Sequence, residues 1–143
     1  MIVTCGTYLY SVKLQKLLVC HPTNSRWNNW SIPKGVMENG EDVYGVCVRE
    51  MFEETGIDVA DINVISEHRM PSRKYKKQEK TLESFLIVTD SDFSKHKYSS
   101  NLVDGKDFPE VDKWKWVTLE EAAGTIHQSQ AENLPVIAGI LHS

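Results

Sequence analysis

Cysteine is scarce in this 143-residue chain: Cys5, Cys20 and Cys47 lie far apart and form no CxxC pair. That spacing excludes a disulfide framework and a zinc signature. Their apolar neighbours mark all three as small buried hydrophobes. None of the five histidines has a partner at metal-ligand spacing. No stretch approaches the roughly 20 apolar residues of a membrane-spanning helix. The first ten residues, MIVTCGTYLY, carry neither the basic start nor the long apolar segment of a secretory leader. A reducing, cytoplasmic setting without membrane contact is therefore expected. Repeats, low-complexity tracts and Pro/Gly/Ser linkers are also missing, so a single domain over residues 1–143 is expected. The net charge of −4 argues against a broad nucleic-acid surface while leaving room for a local basic patch.

What is present is ordinary in bulk and informative in detail. Apolar residues make up 41% of the chain and charged ones 25%, the balance of a globular domain. A domain of this length buries roughly 70% of its unfolded surface and needs no staple. Strands are expected at Ile2 to Tyr10 and Leu14 to Cys20, with a turn at Ser11-Val12-Lys13, and at Trp30 to Pro33. Further strands are expected at Ile62 to Arg69, Leu82 to Asp90 and Lys113 to Val117, the last two flanking a long loop from Ser91 to Glu110. Asp42 is placed to cap a helix over Val43 to Thr55, and Gly56 to stop it. A short helix is expected after Thr118 and a longer one from about Ser129 to Leu141. This mixed order suggests an α+β or α/β sandwich with a mixed sheet.

The segment Arg49-Glu50-Met51-Phe52-Glu53-Glu54-Thr55-Gly56 carries the chemistry. At about 100° per residue, Glu50, Glu53 and Glu54 fall within one arc of the helix. Val43, Val46 and Cys47 share that face, so three carboxylates continue the stripe that should meet the core. Carboxylates packed together repel unless a cation joins them. Oxygen-only ligation suits a hard divalent ion, Mg²⁺ or Mn²⁺. Arg49 stands four residues before Glu53, where it can pair with that carboxylate. An acidic, solvated helix end with one Arg–Glu pair would account for the same residues on their own.

The wider spacing narrows this. Gly35, Glu41, Arg49, Glu50, Glu53, Glu54, Gly56 and Ile57 fit G-x5-E-x7-R-E-Met-x-E-E-x-G-Ile, which resembles the Nudix box over residues 35 to 57. The seven fixed polar and glycine positions, all matched at residue frequencies near 7%, give a chance hit on the order of one in a hundred million per starting position. The resemblance implies the family's α/β/α sandwich, a loop–helix–loop holding one to three divalent ions, and water attack on a phosphorus of a phosphate chain. By position, Glu53 and Glu54 resemble metal ligands, and Glu50 a ligand or the general base. Arg49 resembles the residue that orients Glu53, Gly35 one that offers a backbone carbonyl, and Glu41 a capping acid supporting the ligands. Glu110 is either a further ligand reaching in from a loop or a turn acid in Phe108-Pro109-Glu110.

Trp30-Ser31-Ile32-Pro33-Lys34-Gly35 is similar to the W-x-x-P-K-G entry of diadenosine tetraphosphate hydrolases within that family, as are the Cys5-Gly6 start and the Glu110-x5-Trp116 spacing. Lys34 is then expected to contact a phosphate, or else to be a solvated turn lysine. Arg73-Lys74-Tyr75-Lys76-Lys77 reads as a lid, with Arg73 and Lys76 on the polyphosphate and Tyr75 stacked on a base. A solvated hairpin is the plainer alternative. Trp27, in a polar loop, is the better stacking candidate. Trp114 and Trp116 share a strand face, and Trp116 should pack in the core. The expected substrate is a nucleotide-containing small molecule, foremost a dinucleoside polyphosphate such as diadenosine tetraphosphate. ADP-ribose, NADH, FAD, an RNA 5′ end and a catalytically silent nucleotide sensor stand as alternatives.

Overall fold

The computed structural model of the chain describes residues 1–143. In chain order it forms β1 (Ile2–Ser11), β2 (Lys16–Pro22), β3 (Lys34–Val36), α1 (Val43–Thr55) and a short 3₁₀ turn (Val59–Asp61). There follow β4 (Val64–Arg69), β5 (Arg73–Lys74), β6 (Lys80–Thr89), β7 (Val111–Val117), α2 (Leu119–Ala123), α3 (Gln128–Ala131) and α4 (Leu134–Leu141). The sheet runs β4-β6-β1-β2-β7, with β3 on β1 and β5 on β6. Its two longest strands, β1 and β6, are parallel in an unbroken register from Ile2↔Lys80 to Ser11↔Thr89. All other pairs are antiparallel, so the sheet is mixed.

Alternation along the strands builds the layers. Tyr8, Leu17, Val19, Leu86 and Val88 pack with Ala122, Leu134 and Ile137 of the C-terminal helices. Their neighbours Leu9, Leu18 and Ile87 point the other way and pack with Met51 of α1 and with Trp114 and Trp116. Successive side chains on a strand face opposite sides, and here both sides are covered, giving an α/β/α sandwich. Cys5, Cys20 and Cys47 are all buried and unpaired.

Three local expectations are corrected. The strand expected at Trp30 to Pro33 forms instead at Lys34–Val36; Trp30 and Ser31 make only isolated bridges. Pro33 has no N–H to give a ladder, while its carbonyl accepts from Thr7 N at 3.1 Å. The hairpin turn is longer than expected, since Leu14 lies in it and β2 begins at Lys16. The helix expected from Ser129 to Leu141 is broken between α3 and α4. Pro135 cannot donate to the carbonyl four residues back, and the fully buried Asn133 turns aside to accept from Arg73 Nε at 2.7 Å.

One departure from a plain meander positions the site. β1 meets β2 only at Tyr10↔Leu17 and Ser11↔Lys16. Towards its other end β1 pairs with β3 instead, at Thr4↔Val36, Cys5↔Gly35 and Gly6↔Lys34. The two strands of the hairpin therefore diverge, and the segment Trp30–Val36 fills the gap, bridged to Cys20 through Ser31. Lys34 and Gly35 reach the edge of α1 by this route.

Candidate active and metal-binding site

Helix α1 starts and stops where its sequence dictates. Asp42 accepts from Gly45 N at 2.7 Å, satisfying one of the first-turn donors. Gly56 takes φ 76°, a left-handed conformation that costs a glycine little. The buried positions of α1 are Val46, Cys47, Glu50, Met51, Glu54 and Thr55. Glu50 and Glu54 thus occupy core-facing turns, only 8% and 7% exposed.

Glu50, Glu54 and Glu110 offer carboxylate oxygens that all lie within 4.8 Å of one another. Burial and the adjoining Glu50 carboxylate push Glu54 well above the usual carboxylate range. Burial raises Glu50 too, and burial with the charges of Glu50 and Glu53 raises Glu110. Three convergent oxygen donors destabilised as anions fit a hard divalent cation, which would remove the repulsion. Gly35 completes the cradle: a Cβ there would fall inside the Glu50 carboxylate.

Arg49 organises the outer side of the helix. It donates to Glu53 Oε2 and Glu50 Oε1, each at 3.1 Å, and pairs with Glu41 at 3.0 Å. Glu41 also accepts from Glu38 N at 2.9 Å. Glu53 is half-buried and stands outside the group formed by Glu50, Glu54 and Glu110.

A cavity of about 150 Å³ opens over Glu54 and Glu110 and is also lined by Pro22, Ser31 and Lys34. Lys34 in turn lines an adjoining cleft of about 250 Å³ with Trp30, Tyr75, Lys80 and His127. Tyr75, Gln78 and His127 continue it into a third recess bordered by Lys76 and Lys77. Tyr75 is buried, its ring 5.2 Å from that of His127 and under the Lys80 ammonium at 4.9 Å. Arg73 is turned away from this cleft, donating to Asn133 Oδ1 and to Glu132 O. Trp27 stands 81% exposed on its loop. Sequence reasoning passed over His127 and Lys80. Lys80 adjoins the basic run, but His127 reaches Tyr75 from a distant part of the chain, and no local pattern marks it.

A mixed sheet between helical layers, with one helix turning carboxylates into a cleft, defines an α+β sandwich that presents hard oxygen donors beside a lysine-bordered groove. The NUDIX domain family model matches residues 3–138, and the chain belongs to the Nudix family. By sequence it is 38% identical over 66 residues to mouse nucleoside diphosphate-linked moiety X motif 6, covering 44% of this chain and 21% of that protein. It is 28% identical to an RNA pyrophosphohydrolase of Rhizobium meliloti, covering 68% of this chain and 63% of that one. The chain therefore spans less than two thirds of the length of these curated relatives. By structure it superposes on a C. elegans Ap4A hydrolase with TM-score 0.75 and 18% identity, covering 99% of this chain and 98% of that one. No helix is long and apolar enough to cross a membrane.

Proposed function

We propose that this chain is a divalent-metal-dependent pyrophosphohydrolase that cleaves a nucleoside diphosphate linked to another moiety, foremost a dinucleoside polyphosphate such as diadenosine tetraphosphate. The observation that carries this reading is the position of Lys34. It lines the cavity over Glu54 and Glu110 and also the cleft that holds Tyr75, Lys80 and His127. A phosphate chain on Lys34 would present one phosphorus to the carboxylates and extend its next group towards Tyr75 and His127.

In this reading Glu50, Glu54 and Glu110 would hold Mg²⁺ or Mn²⁺, with Gly35 leaving room for the Glu50 carboxylate. A divalent cation supplies charge neutralisation on the phosphate oxygens and acidification of water. A water oxygen forms the new bond to phosphorus, the bridging P–O bond breaks, and a glutamate of α1 accepts the proton that the water loses. Arg49 fixes Glu53 and Glu50 relative to one another. Lys34, Lys76 and Lys80 take the negative charge of the chain, and the exposed Trp27 takes a base by stacking, worth about 1–3 kcal/mol, while Tyr75 is packed against His127 under Lys80. Arg73, engaged by Asn133, supports the C-terminal junction instead of touching phosphate. Three unpaired thiols suit a reducing, cytoplasmic setting.

The test is a side-by-side substrate panel with Mg²⁺, then Mn²⁺: diadenosine tetraphosphate, ADP-ribose, NADH and triphosphorylated RNA, with products resolved by ion-pair chromatography. ATP plus AMP from the first substrate, at the highest kcat/KM of the four, is the expected result. A second reading, release of pyrophosphate from an RNA 5′ end, is favoured by the RNA pyrophosphohydrolase relative and by the open recess beside Lys76 and Lys77. Preference for the RNA would establish it in place of the first.

A further inference from the structure

Helix α1 ends in a turn whose carbonyls are all taken by groups from outside its own ladder or from its glycine cap. The last four C=O groups of a helix have no intrahelical partner and must be met elsewhere. Phe52 O accepts from Gly56 N at 2.8 Å, and Glu53 O from Asn101 N at 2.7 Å. Glu54 O accepts from Trp114 Nε1 at 2.6 Å. Thr55 O accepts from His96 Nε2 at 2.9 Å and from Ser99 N at 3.3 Å. Three of these donors, His96, Ser99 and Asn101, belong to the loop between β6 and β7.

The same loop returns to carry Glu110. Asn101 O accepts from Glu110 N at 2.9 Å. The Ser100 hydroxyl accepts from Val111 N at 3.0 Å and donates to Asn101 O at 3.1 Å. One hydroxyl thus holds the amide that follows Glu110 directly, and holds the carbonyl that receives the Glu110 amide. The path from helix to acid is short: Glu53 carbonyl, Asn101 peptide, Glu110 amide, with Ser100 as its only side-chain member.

We propose that Ser100 is a positioning residue that fixes the Glu110 carboxylate against Glu50 and Glu54, so that the loop sets the geometry of the divalent-ion site. This rests on the reading above that Glu110 is a ligand. Groups that orient metal ligands typically contribute about 10–100-fold in affinity. Ser100 is half-buried and its hydroxyl bonds only to backbone groups, Asn101 O and Val111 N, so Ser100→Ala should fold.

The measurement is Mn²⁺ binding to the nucleotide-free protein, followed by electron paramagnetic resonance of the free ion, for wild type, Ser100→Ala, Ser100→Thr, Glu110→Gln and the Ser100→Ala/Glu110→Gln double variant. Thermal unfolding in EDTA is measured in parallel. The expected result is a Kd for Mn²⁺ raised about tenfold in Ser100→Ala and restored by Ser100→Thr. No further loss is expected when Ser100→Ala is added to Glu110→Gln. The EDTA melting temperature of Ser100→Ala should fall by no more than about 4 °C, as for the loss of one hydrogen bond, in a single cooperative transition. If Glu110→Gln weakens Mn²⁺ binding and Ser100→Ala does not, the inference falls and the ligand reading survives. If Glu110→Gln itself leaves Mn²⁺ binding unchanged, both fall. Additive losses in the double variant would also overturn the inference, because Ser100 would then act by another route.

Discussion

At the scale of single residues, Glu54 carries the sharpest conflict in the molecule. It is a carboxylate at a core-facing helix position, 7% exposed, with Glu50 beside it. Such a group destabilises the metal-free fold as an anion, and under the proposed metal-binding reading the loaded fold would need it. Glu54→Gln keeps the shape and removes the charge. The metal-free melting temperature should therefore rise, while hydrolysis falls by at least about a hundredfold. Calorimetry in EDTA and initial rates in Mg²⁺ check the two halves separately. A neutral change in both would mean that Glu54 is merely packed. His127 makes the opposite case. Burial, with Lys34 and Lys80 close by, holds its pKa below the ordinary 6.5. A depressed folded value means that the unfolded chain binds the proton more readily, so the stability that neutral His127 contributes is present above about 6.5 and is lost as pH falls through the folded value. The melting temperature of wild type minus that of His127→Gln should therefore shrink on acidification from pH 7.5 to pH 5. A gap that widens would reverse the sign and place a carboxylate, not lysines, as the dominant neighbour.

At the scale of elements, α1 was legible almost residue by residue, because its start, its stripe and its stop are all local signals. Asp42→Ala should cost about 1 kcal/mol of stability, as N-cap removals do, and leave kcat unaltered, since the cap lies at the far end of the helix from Glu53 and Glu54. Urea melts and steady-state rates would show it. The central strands were legible for the same reason, through alternation of residues such as Tyr8 and Leu9. What the sequence hid was anything decided by a distant partner. The extended segment before Gly35 slides to Lys34–Val36 because Pro33 has no N–H to donate and β1 offers its free edge there. The two-residue strand β5 exists because β6 extends past it. The last helix breaks at Asn133 because that side chain reaches Arg73, Ser84 and Tyr8. Arg73 read as a phosphate contact when only its neighbours in sequence were visible. In space its guanidinium belongs to that junction.

At the scale of the whole molecule, the site is assembled from five separate parts of the chain: β3 with Lys34 and Gly35, α1 with Glu50 and Glu54, the β5–β6 segment with Tyr75 and Lys80, the loop ending at Glu110, and the C-terminal segment with His127. None folds the site alone, so filling it should stabilise all of them together. A cation that binds only the folded state adds RT ln(1 + [L]/Kd), about 2.7 kcal/mol at a hundredfold excess over Kd. For a chain of this size that corresponds to a rise in melting temperature of roughly 5–10 °C. We expect Mg²⁺ added to EDTA-treated protein to produce such a rise in one cooperative transition. Glu54→Gln should lose most of it, since its metal-free form begins higher and its loaded form lacks one charge. A rise of the same size in wild type and Glu54→Gln would place the ion elsewhere on the acidic surface. A second, separate transition would show that the Glu110 loop and α1 do not unfold together, against the hydrogen-bonded strap that joins them.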